Sequence, residues 1–75
     1  MNVEIGKIYK HFKGDLYLVL DIGKYSETGE LMVIYKALYG NNETWIRPYN
    51  MFIDEVNKNN QKYRFEKINI ESKNV

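Results

Sequence analysis

Apolar and polar positions follow strand spacing over most of this chain, and helix spacing over one short stretch. Residues 7–12, Lys-Ile-Tyr-Lys-His-Phe, are rich in strand formers and stop at Lys13-Gly14-Asp15, a turn. Residues 16–22, Leu-Tyr-Leu-Val-Leu-Asp-Ile, form an apolar run of strand length that Gly23 ends, and residues 24–30 read as a polar loop. The longest strand candidate is 31–39, Leu-Met-Val-Ile-Tyr-Lys-Ala-Leu-Tyr. Gly40-Asn41-Asn42 then makes a hairpin turn from which 43–47 pairs back. Pro48 ends that strand because it has no N–H to donate. From Tyr49 to Val56 the pattern changes: Met51, Phe52, Ile53 and Val56 make one apolar stripe, with Asn50 as a possible cap, which predicts one or two helical turns. Asn57 to Lys62 has no apolar residue and predicts a loop. Residues 63–70 alternate from Phe65 onward and predict a last strand, with a disordered tail at 71–75.

Five short strands with a helical turn before the fifth predict a mainly β protein, a small SH3-like barrel occupying residues 1–70 as a single domain. An open meander sheet with a covering helix fits the same string. Closure is preferred because it removes exposed edges in so small a chain. Alternation assigns Leu16, Leu18, Leu20 and Ile22 to an aliphatic core face, with Tyr17, Val19 and Asp21 opposite. On the same logic Tyr9, His11, Tyr17, Tyr35, Trp45 and Arg47 can share a second face, an aromatic groove with polar handles. In a barrel, half of these residues would be interior instead.

Composition narrows the function classes. Seventy-five residues with eleven Lys plus Arg against ten Asp plus Glu give a net charge of +1. That is no footprint of a generically basic nucleic-acid binder. Nucleic acid is further disfavoured, though not excluded, by Asp15, Asp21, Glu27 and Glu43 in the middle of the chain. Without Cys there is no disulfide frame, thiolate metal site or cysteine nucleophile. One His and no ligand-spaced pair of acids give no expectation of a metal, and isolated glycines form no phosphate loop, so no cofactor is expected. The start of the chain lacks an apolar run of signal-peptide length. Nowhere does an apolar stretch approach the ~20 residues of a membrane span, so the expectation is a cytoplasmic protein.

A string of particular residues then becomes recognisable: Tyr9-Lys10-His11-Phe12-Lys13-Gly14, Tyr17, Val19, Ser26-Glu27-Thr28, Val33, Tyr35 and Ala37-Leu38-Tyr39-Gly40. It continues with Trp45-Ile46-Arg47-Pro48, Met51-Phe52 and Arg64-Phe65. Over roughly residues 6–65 the chain resembles the short bacterial proteins known as domain of unknown function 1653. That family typically has Arg where Lys10 stands and Val where Ile46 stands, both conservative changes. The resemblance implies a small, single-domain, bacterial or phage-borne protein, and it supplies no substrate or catalytic residue.

The candidate chemistry rests on a few side chains. Trp45 and Arg47, two apart on a strand, face one side, and an indole beside a guanidinium offers stacking plus an anion clamp. Alternatively, Trp45 is core and Arg47 is tied to Glu27 or to a carbonyl. His11, the sole imidazole, can act as general base or hydrogen-bond donor, or simply pack against Tyr on its strand. Glu27 in the loop after the second strand can orient that imidazole, or its segment Ser26-Glu27-Thr28 merely fixes a turn. The expectation is a binding module whose ligand-binding residues are Tyr9, His11, Tyr17, Glu27, Tyr35, Trp45 and Arg47, with no catalytic residue assigned. Its ligand would be a peptide, a protein partner or a nucleotide-like small molecule. A small hydrolase or transferase using His11 with Glu27 is the alternative, and a structural homo-oligomer subunit the third. Either a monomer or a homodimer is compatible with the chain.

Overall fold

The computed structural model describes residues 2–69. Its elements are β1 (Ile8–His11), β2 (Leu16–Lys24), β3 (Leu31–Ala37), β4 (Thr44–Pro48), α1 (Tyr49–Phe52), β5 (Glu55–Lys58), β6 (Gln61–Tyr63) and β7 (Phe65–Ile68). The protein is therefore mainly β with one short helical turn. Strands β4-β3-β2-β1-β7 form one five-stranded sheet, antiparallel throughout, and β5-β6 form a separate two-stranded ribbon. The predicted closure is absent among the described residues: β4 and β7 are the two edges and are not paired with each other. Side chains draw these edges together instead, with the Arg47 guanidinium of β4 lying 5.7 Å from the Phe65 ring centre of β7.

Turn chemistry explains most of the connections. At the β3–β4 hairpin Gly40 (φ 55°) and Asn42 (φ 53°) take the left-handed conformation. The Asn42 side-chain amide donates to the Ala37 carbonyl at 3.0 Å. Residues 57–62, predicted as a loop, form most of the β5–β6 hairpin. Its turn is Asn59-Asn60, both at positive φ (53° and 63°), which is the requirement of a tight type I′ turn. Asn tolerates that conformation better than other residues with a Cβ, so a polar asparagine run encodes a hairpin here. The ribbon is pinned to the main sheet by the buried Gln61 amide, which donates to the carbonyls of Lys10 (2.8 Å), Tyr63 (3.1 Å) and Arg64 (3.4 Å).

Other expectations also shift. The helix covers only Tyr49–Phe52, follows directly on Pro48, and has no side-chain cap, so Asn50 does not cap it. Val56 belongs to β5, and the last strand is Phe65–Ile68 with Tyr63 in β6. Proline is tolerated at the end of β4 because that strand is an edge, paired only to β3. The tail predicted at 71–75 lies outside the described residues.

The predicted faces of β2 are inverted. Tyr17 and Val19 point inward, with Val19 fully buried, whereas Leu20 is 40% exposed. The pairing of Val19 with Tyr35 and of Asp21 with Ile34 leaves Leu20 as an extra residue, a β-bulge, after which Ile22 packs inward. A run of leucines on one face thus marks the outer surface up to the bulge. The core is instead aromatic: Tyr9, Phe52 and Phe65 are its largest fully buried side chains, joined by Val3, Val19, Val33 and Tyr35. Phe52 stacks flat on Phe65 (4.0 Å between ring centres, 1° between planes), so the helical turn clamps the inner face of the curled sheet. The Arg64 guanidinium fixes that turn from outside, donating to both carboxylate oxygens of Asp54 (2.8 and 3.1 Å) and to the Met51 carbonyl. The same pair holds the Asp54 carboxyl below the usual aspartate range, chiefly through the hydrogen bond from Arg64.

Candidate functional site

Cross-strand register gathers the candidate residues. Tyr17 pairs with Tyr9 and Ala37, Tyr35 with Val19 and Trp45, Arg47 with Val33, and His11 with Phe65. Side chains directly opposite across antiparallel strands share a face. His11, Tyr17, Tyr35, Trp45 and Arg47 therefore converge on the inner side of the sheet, next to the end that α1 covers, with Tyr35 edge-on to Phe52 of that turn. They line a pocket of about 220 Å³ together with Tyr39 and Phe65.

Aromatic edges build its walls. Tyr17 meets Tyr35 (5.4 Å), Tyr39 (5.7 Å) and Phe65 (5.5 Å) with near-perpendicular rings, the favoured arrangement for aromatic quadrupoles. The Tyr17 and Tyr39 hydroxyls are hydrogen-bonded at 2.9 Å. Burial first, and then that bond, push the Tyr17 phenol up, so it stays neutral in any physiological medium. Trp45 is 48% exposed and stands at the mouth as a wall rather than in the core.

Two cation-capable groups supply polarity. Arg47 is half-buried and uses its Nε–H to donate to the Tyr35 hydroxyl at 3.1 Å. Neither Glu27 nor any other carboxylate pairs with it among the described residues, where the ion pairs are Lys62–Glu55, Arg64–Asp54 and Lys67–Glu4. Its terminal nitrogens thus remain available as charge-assisted donors beside an aromatic wall. His11 sits edge-on to Phe65 at 4.9 Å and accepts the Lys13 backbone N–H at Nδ1 (3.1 Å). Burial and the charges of Arg47, Arg64 and Lys13 hold its pKa below the usual value. At neutral pH the ring is uncharged with its proton on Nε2, so it too offers a donor. With the Trp45 indole N–H, the pocket is weighted toward donors and has no carboxylate in its lining.

Two expected site residues lie elsewhere. Tyr9 is fully buried in the core, its hydroxyl accepting the Glu4 backbone N–H at 2.9 Å. Glu27 is exposed in the β2–β3 loop, beyond Lys24, whereas His11 adjoins the start of β2 through its N–H to the Asp15 carbonyl. They sit at opposite ends of a nine-residue strand, so Glu27 cannot orient the imidazole. Residues 26–29 instead fix a turn: the Thr28 hydroxyl accepts the Glu30 N–H, and Gly29 donates to the Tyr25 carbonyl. Conversely, Tyr39 and Phe65 line the pocket without having been singled out. Tyr39 stands four residues after Tyr35, so the period of two puts it on the same face. Phe65 carried no local signal, since it reaches the site through the pairing of β7 with β1.

The same inner face continues past Tyr39 and Trp45 into an adjoining pocket of about 170 Å³, lined also by Ala37, Asn41 and Glu43. Glu43 brings a negative charge to that side, so the two pockets differ in sign and share the indole as their partition. Among the described residues no group of acids and imidazoles could hold a metal ion, and no helix is long and apolar enough to cross a membrane.

Comparison with known proteins agrees with this architecture. No curated protein matches the chain. A crystal structure of a protein from Bordetella bronchiseptica, described as belonging to the DUF1653 family, matches with a TM-score of 0.79. The two sequences are 26% identical, and the alignment covers 97% of this chain and 96% of the other. Residues 7–67, which carry every residue lining the pocket, match the family described as protein of unknown function (DUF1653), and the chain belongs to that family.

Proposed function

We propose that this protein is a small binding module that seats an acceptor-rich group, anionic or polar, on its inner aromatic face. The observation that carries this reading is Arg47: a half-buried guanidinium with no carboxylate partner among the described residues, walled by Trp45, Tyr35 and Phe65. The Asp54 carboxylate near enough to feel this charge is bonded through both oxygens to Arg64, which leaves Arg47 without a direct counter-ion. The geometry therefore favours ligands that bring a carboxylate or phosphate. Short peptides, segments of a protein partner and nucleotide-like small molecules all offer one. In this reading the curled sheet is an incomplete barrel of the SH3-like kind, and the seam between β4 and β7 serves as its binding mouth. The experiment is an amide and indole NMR titration with benzoate and phenyl phosphate, whose expected result is a joint shift of the Trp45 indole and the amides around Arg47 and His11. An indole unmoved by either anion at millimolar concentration would count against the reading.

A homodimer rests on a separate observation, the aliphatic outer face, where Ile46 is 64% and Leu20 40% exposed and Ile8, Leu18 and Ile34 are half-buried. Sedimentation across a hundredfold range of concentration tests it: a constant monomer mass removes that reading and leaves the pocket untouched.

A further inference from the structure

The edge of β4 beside the two pockets adds a feature that small-molecule binding does not require. Ala37 N–H donates to the Glu43 carbonyl at 2.9 Å, which fixes the phase of the β3–β4 ladder. Antiparallel pairs alternate between hydrogen-bonded and non-hydrogen-bonded, so with this register Trp45–Tyr35 and Arg47–Val33 are bonded pairs. The N–H and C=O groups of Thr44 and Ile46 consequently point away from the sheet. Beyond them Pro48 has no N–H and ends the row. These groups lie on an edge strand with no strand paired outside it among the described residues, and Thr44, Trp45 and Ile46 are exposed. An unpaired edge flanked by side-chain pockets is the arrangement by which a sheet takes up an extended peptide.

We infer that this protein binds an extended peptide as an added antiparallel strand on β4, with an acidic side chain at Arg47 and a basic one at Glu43. This rests on the pocket reading above and names its ligand class. Side chains of an added strand that lie opposite Arg47, Trp45 and Glu43 fall on the pocket face, every second residue of the peptide. An antiparallel strand meets Arg47 first and Glu43 last, which gives the order acid, any, apolar, any, base. The apolar residue packs on the Trp45 indole between the two pockets. The residues between them carry the N–H groups that reach the carbonyls of Thr44 and Ile46. Charge complementarity comes from the opposite signs of the two pockets.

The probe is acetyl-Glu-Thr-Val-Thr-Lys-amide, titrated into the full chain and followed by NMR and calorimetry. Binding is expected to shift the amides of Thr44 and Ile46 together with the Trp45 indole. Methylating the backbone nitrogens of both Thr residues should weaken binding tenfold or more, since two hydrogen bonds and the strand approach are lost. Methylating the Val nitrogen, which faces away from β4, should leave the affinity within about twofold. Equal loss from both modifications, or none from either, overturns strand addition. If benzoate moves the Trp45 indole while the peptide does not bind, strand addition fails and the pocket reading stands; if neither probe binds, both fail. Thr44 and Ile46 amides that respond to protein concentration and not to peptide assign the edge to a second copy and overturn the proposal. Arg47→Gln, with an unchanged spectrum elsewhere, should cost the acidic peptide at least tenfold while a peptide with Gln in place of Glu is little affected.

Discussion

The inner face of the sheet has two ends built from the same materials and put to different uses. At one end Tyr9, Val19, Val33, Phe52 and Phe65 are fully or almost fully buried, under a helical turn that sets Phe52 flat on Phe65. At the other end Tyr17, Trp45 and His11 stand on the same face and, with Arg47, enclose a pocket. The buried Tyr35 and Phe65 belong to both ends, touching Phe52 on one side and lining the pocket on the other. Residue type does not separate the two ends, because both are aromatic. The difference is cover. The turn covers one end, held there by Arg64 bonded to Asp54 and Met51, and the side chains on the far side of Tyr35 and Phe65 are left to form a binding wall. Aromatic side chains suit both uses, giving large apolar burial under cover and a rigid stacking surface in the open.

Removing the cover tests this division most severely. Phe52→Ala deletes the fully buried ring that stacks on Phe65 and should cost about 3–5 kcal/mol. That is comparable with the whole stability expected of so small a domain, so the thermal transition should largely vanish. A melt close to that of the unaltered protein would mean that the turn is not what separates the ends. Gln61→Ala removes a buried amide that serves three carbonyls, and a loss of about 1–3 kcal/mol in denaturant titrations is expected, with the β5–β6 ribbon freed first in hydrogen exchange. Trp45→Ala, at the open end, should change stability by less than about 1 kcal/mol while abolishing the response to anionic ligands. A loss as large as that of Phe52→Ala would make the two ends a single core.

The smallest effect is read by titration. The His11 midpoint should fall below the ordinary value of about 6.5, mainly from burial and then from Arg47, and Arg47→Gln should move it upward. Because the folded pKa is the lower one, the unfolded chain takes up the proton first. The associated stability is complete above about 6.5 and is lost as the pH falls through the folded value. A midpoint that Arg47→Gln leaves in place would show that the two groups do not share the pocket.

Much of the fold was legible from local pattern. The strands from Ile8 to Arg47, the Gly40-Asn41-Asn42 turn and the helical start after Pro48 follow from alternation, turn residues and the missing proline N–H. Grouping His11, Tyr17, Tyr35, Trp45 and Arg47 on one face needed only the period of two, and the structure brings those five to one pocket. The bulge at Leu20 was not legible, since it appears only when the register of β2 against β3 is known, and it reversed the assignment of the leucines. Neither was the asparagine hairpin, because Asn59 and Asn60 show their left-handed conformation only in a paired ribbon.

By itself the sequence determined which residues alternate, where the chain turns, and that aromatic and cationic side chains fall on one side of the strands. Those are properties of neighbours in the chain, fixed by backbone geometry and side-chain shape. Only the tertiary structure decided which side is the interior, that Phe65 and not Glu27 stands beside His11, and that β4 keeps an open edge. These depend on pairings between residues as distant as His11 and Phe65, whose energies appear only once the intervening chain has folded back.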